Sequence, residues 1–116
     1  MIPLLQDSKL VLDNAISAGL YQQLMLQLQK DFQLSGLSLE LATDLEPEGL
    51  LKQLFSEIQR LMEHNFDAYL QLLYRVDIPE QAMQTSQAHS IAELSKRATL
   101  QILQREWQKV YFRNTY

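Results

Sequence analysis

The chain contains no cysteine among its 116 residues, which excludes disulfides, thiol chemistry and cysteine-type zinc sites. Only three glycines are present, too few for a glycine-rich loop that cradles phosphates. No run of about 18 apolar residues occurs, so no membrane span is expected. The opening Met1-Ile2-Pro3-Leu4-Leu5-Gln6-Asp7 lacks a basic region followed by an apolar one, so secretion is not signalled. A cytoplasmic setting is the resulting expectation. No serine has a matching base, and Glu-x-x-His repeats for a di-iron centre are missing.

The two histidines offer little chemistry. His64 has Glu63 beside it, Asp67 three residues on and Arg60 one turn back. That set could bind a metal or move a proton, but it falls on the polar side of its helix. Two ligands also fall short of the usual three or four, so a solvated surface histidine is the plainer reading. His89 and Glu93 are four apart, but Glu93 is better used in a helix cap. Neither an enzyme, nor a cofactor, nor a metal site is expected.

What the chain does have is leucine, glutamine and helical periodicity. A hydrophobic content of 47% is ordinary for one globular domain of this size. Leucine with glutamine suits helices with apolar seams and uncharged outer faces, which associate readily. The net charge of −4 is unevenly placed. Residues 96–116 hold five basic groups and one acid, whereas residues 1–95 hold five basic and thirteen acidic groups. The two parts should attract each other.

The organising stretch is Glu48 to Ile78. At about 100° per residue, Leu50, Leu51, Leu54, Phe55, Ile58, Leu61 and Met62 share one arc, and Tyr69, Leu72, Leu73 and Val76 continue it. Phe66, Leu70 and Tyr74 widen the arc, which predicts deeper burial of its second half. Asn65 interrupts the stripe. It either caps a second helix or lies buried as a register-setting residue against a partner.

Around this centre the reading is an all-α bundle of three to four main helices in a single domain, 1–116. The main helices are expected over 17–35, 47–77 and 90–112, with an irregular arm over 1–16. Tyr21, Leu24, Met25, Leu28 and Phe32 mark the first, which Gly36 can close in a left-handed conformation with Leu37 folding back. Residues 37–41 alternate with period two. They form an extended linker that buries its leucines, or a short strand paired with residues 9–12. Pro47 between acids marks a helix start. Ile78-Pro79 ends the central stretch, placing Asp77 near the start of a new turn, and residues 81–87 read as a short connector. Ser90-Ile91-Ala92-Glu93 matches a capping box.

The last helix carries two apolar faces. Ile91, Leu94, Ala98 and Ile102 form one, and Leu100, Leu103, Trp107, Val110 and Tyr111 form a second about 150° away. Either the helix passes from one neighbour to another, or its later face meets a second chain. The second option makes Trp107, Tyr111, Leu103 and Val110 the candidate partner-binding residues.

The segments 72–80 (Leu-Leu-Tyr-Arg-Val-Asp-Ile-Pro-Glu) and 104–110 (Gln-Arg-Glu-Trp-Gln-Lys-Val) resemble a family of short, uncharacterised helical bacterial proteins. The resemblance covers about the last half of the chain. It implies an all-helical fold and a bacterial cytoplasmic setting, and it supplies no activity. It also points to a structural role for Arg75 and Asp77, with Asp77 expected to pair with Arg97 or Arg105.

The functional expectation is a small helical protein–protein interaction or self-association module, with a homo-oligomer such as a dimer, or another protein, as partner. Two alternatives stand beside it. One is nucleic-acid binding by the basic, aromatic C-terminal helix, which the acidity of the rest of the chain disfavours. The other is a small acidic chaperone or adaptor.

Overall fold

The structure, a computed structural model, describes residues 3–78 and 90–115, with side chains from Gln6 onward. The helix start read at Pro79, the connector over 81–87 and His89 lie outside the described residues. Among the described residues there are five helices and no strand: α1 (Pro3–Ser17), α2 (Tyr21–Leu34), α3 (Pro47–His64), α4 (Phe66–Val76) and α5 (Ile91–Thr115).

The first correction concerns the N-terminus. Residues 1–16 were expected as an irregular arm, yet α1 spans nearly all of them. Ser8, Val11, Leu12 and Ala15 are buried, while Leu10 and Ile16 are exposed. That spacing is helical, not alternating, and a serine inside the stripe hides it from a reading of apolar residues alone. Strand pairing between 9–12 and 37–41 is therefore absent.

Three helices end by the same backbone device. In each, an amide just past the helix bonds back to the carbonyl five residues earlier, and the residue before that amide takes positive φ. Gly19 closes α1 (Leu20 N to Ala15 O, 2.8 Å), and Gly36 closes α2 (Leu37 N to Phe32 O, 2.9 Å). Asp77 closes α4 at φ 74°, with Ile78 N bonded to Leu73 O at 2.9 Å. Asp77 thus terminates the helix before it, and the new turn it was expected to precede lies outside the described residues. Aspartate tolerates this conformation better than most side chains.

The stretch 47–77 is two helices. Asn65 leaves helical geometry, and its side-chain oxygen accepts from Ala68 N at 3.3 Å, capping α4. Asn65 itself is exposed, so it does not set register inside the core.

Residues 37–45 cross the body as neither helix nor strand, turning at 43–44, with Leu39 and Leu41 buried and Leu37 and Leu45 packed against the core. Such a crossing leaves its backbone groups without ladder partners. Side chains supply them. Gln29 accepts from Leu41 N at 2.7 Å, Gln22 donates to Thr43 O at 2.7 Å, and Gln53 donates to Glu40 O at 2.6 Å. Tyr21 donates to Leu45 O at 2.6 Å. Several glutamines read as outer-face residues are straps for this linker.

The 48–78 stretch, as α3 and α4 together, meets α1, α2 and α5, and among the described helices α5 alone packs against all four others. Its two apolar faces are explained by that position, since a helix with neighbours on several sides needs no single stripe. Small buried residues (Ala15 on α1; Ser95, Ala98 and Thr99 on α5) limit the bulk inside these contacts. Thr99 returns its hydroxyl to Ser95 O at 2.7 Å, so burying it leaves no unmet donor.

Candidate functional site

Two features stand out from this framework, one buried and one exposed. The buried one lies between α2 and α5. Lys109 donates to Asp31 Oδ2 at 2.9 Å, Gln27 donates to the same oxygen at 3.1 Å, and Arg113 donates to Gln27 Oε1 at 2.9 Å. Glu106, one turn before Lys109, is wholly buried. Among the described residues neither of its oxygens has a hydrogen-bond partner, and Lys109 Nζ stands 3.7 Å away, beyond hydrogen-bond reach.

Burial chiefly, with the adjoining Asp31 next, pushes the Glu106 carboxyl up to about 9, against a partial opposing effect of Lys109. Asp31 moves the other way. Burial raises it, but the adjoining Glu106 carboxyl and the hydrogen bonds from Lys109 and Gln27 together bring it below its ordinary value. The two results describe one arrangement. Glu106 is the member that burial keeps protonated, and Asp31 is the member held ionised by its bonds from Lys109 and Gln27.

Neither residue was singled out in the sequence, though each left a trace. Glu106 continues the buried series Thr99, Ile102, Val110, and Asp31 continues Leu24, Leu28. An acid at a core position of a helical stripe was the available signal.

The exposed feature runs along α4. Phe66, Leu70 and Tyr74 follow one another at single-turn spacing. Phe66 is 53% exposed, Leu70 half-buried and Tyr74 85% exposed. Leu34 of α2, at 52% exposure, lies beside them, and a 310 Å³ groove runs between Leu34, Ser35, Leu70, Gln71, Tyr74 and Arg75. The widening of the apolar arc was expected to mean deeper burial. In the structure α4 buries Tyr69, Leu72, Leu73 and Val76 and leaves the added stripe outside.

The residues expected to meet a partner divide. Leu103 and Val110 are fully buried within the chain, so they are not docking residues, which corrects that expectation. Trp107 is half-buried. Tyr111 is exposed, with its ring 5.5 Å from Trp107 and 6.0 Å from Phe112. Of the pairings expected for Asp77, that with Arg105 is present at 3.1 Å. Arg97 is exposed elsewhere on α5, and Arg75 lies on the rim of the α4 groove.

His64 is exposed at the end of α3, and no group of three or more metal-ligating side chains occurs among the described residues. No described helix is long and apolar enough to cross a membrane. Comparison with protein-family models, with curated proteins and with solved structures finds no match. The resemblance to a bacterial family therefore rests on segments 72–80 and 104–110 alone.

Proposed function

We propose that this chain is a small helical interaction module that self-associates, using the α4 stripe Phe66, Leu70 and Tyr74 together with Leu34 as its contact surface. The observation that carries the reading is the stripe itself. Large apolar side chains recur one turn apart along the flank of a helix whose adjoining face fills the core, with Phe66 and Tyr74 exposed and Leu70 half-buried between them. Exposed apolar residues scattered singly are ordinary, but a row beside a groove is the arrangement that helix-docking surfaces use. Gln71 and Ser35 border it without charge, and Arg75 is the one charged residue lining it, so two copies meeting about a two-fold axis need only keep their Arg75 side chains apart. Trp107, Tyr111 and Phe112 form a second aromatic surface at the end of α5.

Nucleic-acid binding loses much of its support. Arg105, Lys109 and Arg113 are engaged with Asp77, Asp31 and Gln27 of the chain's own body. An enzymatic use of the Asp31–Glu106 pair is likewise unsupported, because both groups are buried and the α4 groove is lined by other residues.

Sedimentation equilibrium tests the proposal. Wild type should sediment as an oligomer, and Tyr74→Glu and Leu34→Glu should sediment as monomers with unchanged melting curves. A wild-type monomer at high concentration would overturn self-association and move the reading to a different protein as partner, as an adaptor or chaperone requires.

A further inference from the structure

The contacts between α2 and the second half of α5 are unusually polar for a helix pair inside a small domain. Arg113 meets Gln27, and the Lys109 ammonium has two buried carboxylates around it, Asp31 at 2.9 Å and Glu106 at 3.7 Å. Glu106 has no exposure at all, and the Asp31 side chain is only 5% exposed. Two ionised carboxylates held there would repel in a medium that screens them poorly. One lysine stands against them, and it is already bonded to Asp31.

The other helices packed on α5 do not relieve this. Asp77, just past α4, is taken up by Arg105. The charged side chains of α1 are exposed, and those of α3 lie at or near the surface, where Lys9 pairs with Glu48 and Arg60 with Glu57. The charges that act on Glu106 are Asp31 and Lys109.

We propose that Glu106 and Asp31 hold a single proton between them, and that this proton is a latch fastening residues 105–113 of α5 to α2. Loss of the proton in base sets two carboxylates against each other and opens the α2–α5 contact while the first half of α5, packed through Ser95, Ala98, Thr99 and Ile102, stays in place. The device is independent of what binds the α4 stripe.

The direction with pH follows from linkage. Glu106 holds its proton more tightly folded than unfolded, so folding takes up a proton between pH 4.5, its ordinary value, and about 9. The contribution is complete below that window and fades as pH rises through it. The folding constant should fall up to about tenfold per pH unit there. Glu106→Gln keeps the shape and a donor toward Asp31 but has no proton to lose.

The experiment measures urea unfolding of wild type and Glu106→Gln between pH 6 and 8.5, and amide exchange of both at matched pH. Wild type should lose folding constant relative to the variant as pH rises. Exchange of amides 105–113 relative to 91–99 should accelerate in wild type only, with the fluorescence of Trp107, the single tryptophan, following it. Parallel pH dependence in the two proteins overturns the shared proton. Acceleration spread evenly over α5 overturns the latch. Should Glu106→Gln fail to fold, a carbon-13 titration of the wild-type Glu106 carboxyl decides: a midpoint well above the carboxylate range supports the proposal, and one within that range ends it.

Discussion

Lys109 of α5 donates to Asp31 of α2 at 2.9 Å across 78 positions of sequence, joining the basic end of the chain to its acidic body. The attraction expected from the charge distribution is realised here and at Arg105–Asp77, 3.1 Å. The two pairs differ in surroundings. The Asp31 side chain is 5% exposed and that of Asp77 is 78% exposed. Solvent screens the second pair and leaves the first strong.

Removing the partner of the buried carboxylate should therefore cost more. Lys109→Met should lower stability by about 2 kcal/mol, since Asp31 keeps only its neutral donors. Arg105→Gln should cost less than about 0.5 kcal/mol. Urea denaturation of both variants checks the order, and equal losses would refute the argument from burial.

Asp31 and Glu106 should bound the stability curve from opposite sides. The lowered Asp31 value means its contribution is present above 3.8, its ordinary value, and lost as pH falls through the folded one. Glu106 adds a contribution that fades upward from 4.5. Melting temperature should thus peak on the acid side of the usual maximum at about pH 5–8. Asp31→Asn should flatten the acid limb. A maximum in the alkaline range would contradict the Glu106 assignment, and an acid limb unchanged in Asp31→Asn would contradict that of Asp31.

Tyr69 buries its hydroxyl without a hydrogen-bond partner among the described residues, and burial holds its proton well above the ordinary value. An orphan buried hydroxyl costs about 1–3 kcal/mol, so Tyr69→Phe should be neutral or stabilising, by up to about 1 kcal/mol. Thermal melting of this variant checks the sign. A loss above about 1 kcal/mol would mean that the hydroxyl has a partner after all.

The two ends of α4 offer a local test. Asn65→Ala removes a long 3.3 Å cap bond and should cost about 0.5–1 kcal/mol. At Asp77, where φ is 74°, Asp77→Asn should be nearly neutral, whereas Asp77→Val should cost about 1–2 kcal/mol or more from backbone strain. Chemical denaturation separates these outcomes. Equal effects of asparagine and valine would remove the conformational explanation.

Features that depend on a few neighbouring residues were legible before the structure. Gly36 and Leu37 close α2 as expected, Pro47 starts α3, Asn65 caps α4, and Ser90 Oγ accepts from Glu93 N at 3.2 Å. Capping and left-handed closure involve backbone groups within one turn, so residue types in order suffice to read them. The all-helical class follows from periodicity for the same reason.

Other features needed the opposite surface. Whether Leu103 and Val110 meet a partner chain or their own core depends on which helices flank α5. Nothing within α5 itself records that. Phe66 and Tyr74 carry the same apolar character as Tyr69 and Leu73, yet α4 turns only one set inward. The proton between Glu106 and Asp31 exists because two distant acids are brought together where water cannot solvate either. Residue order determined the cylinders and their ends; only their packing decided which side chains became dry, because burial belongs to pairs of surfaces and not to either one alone.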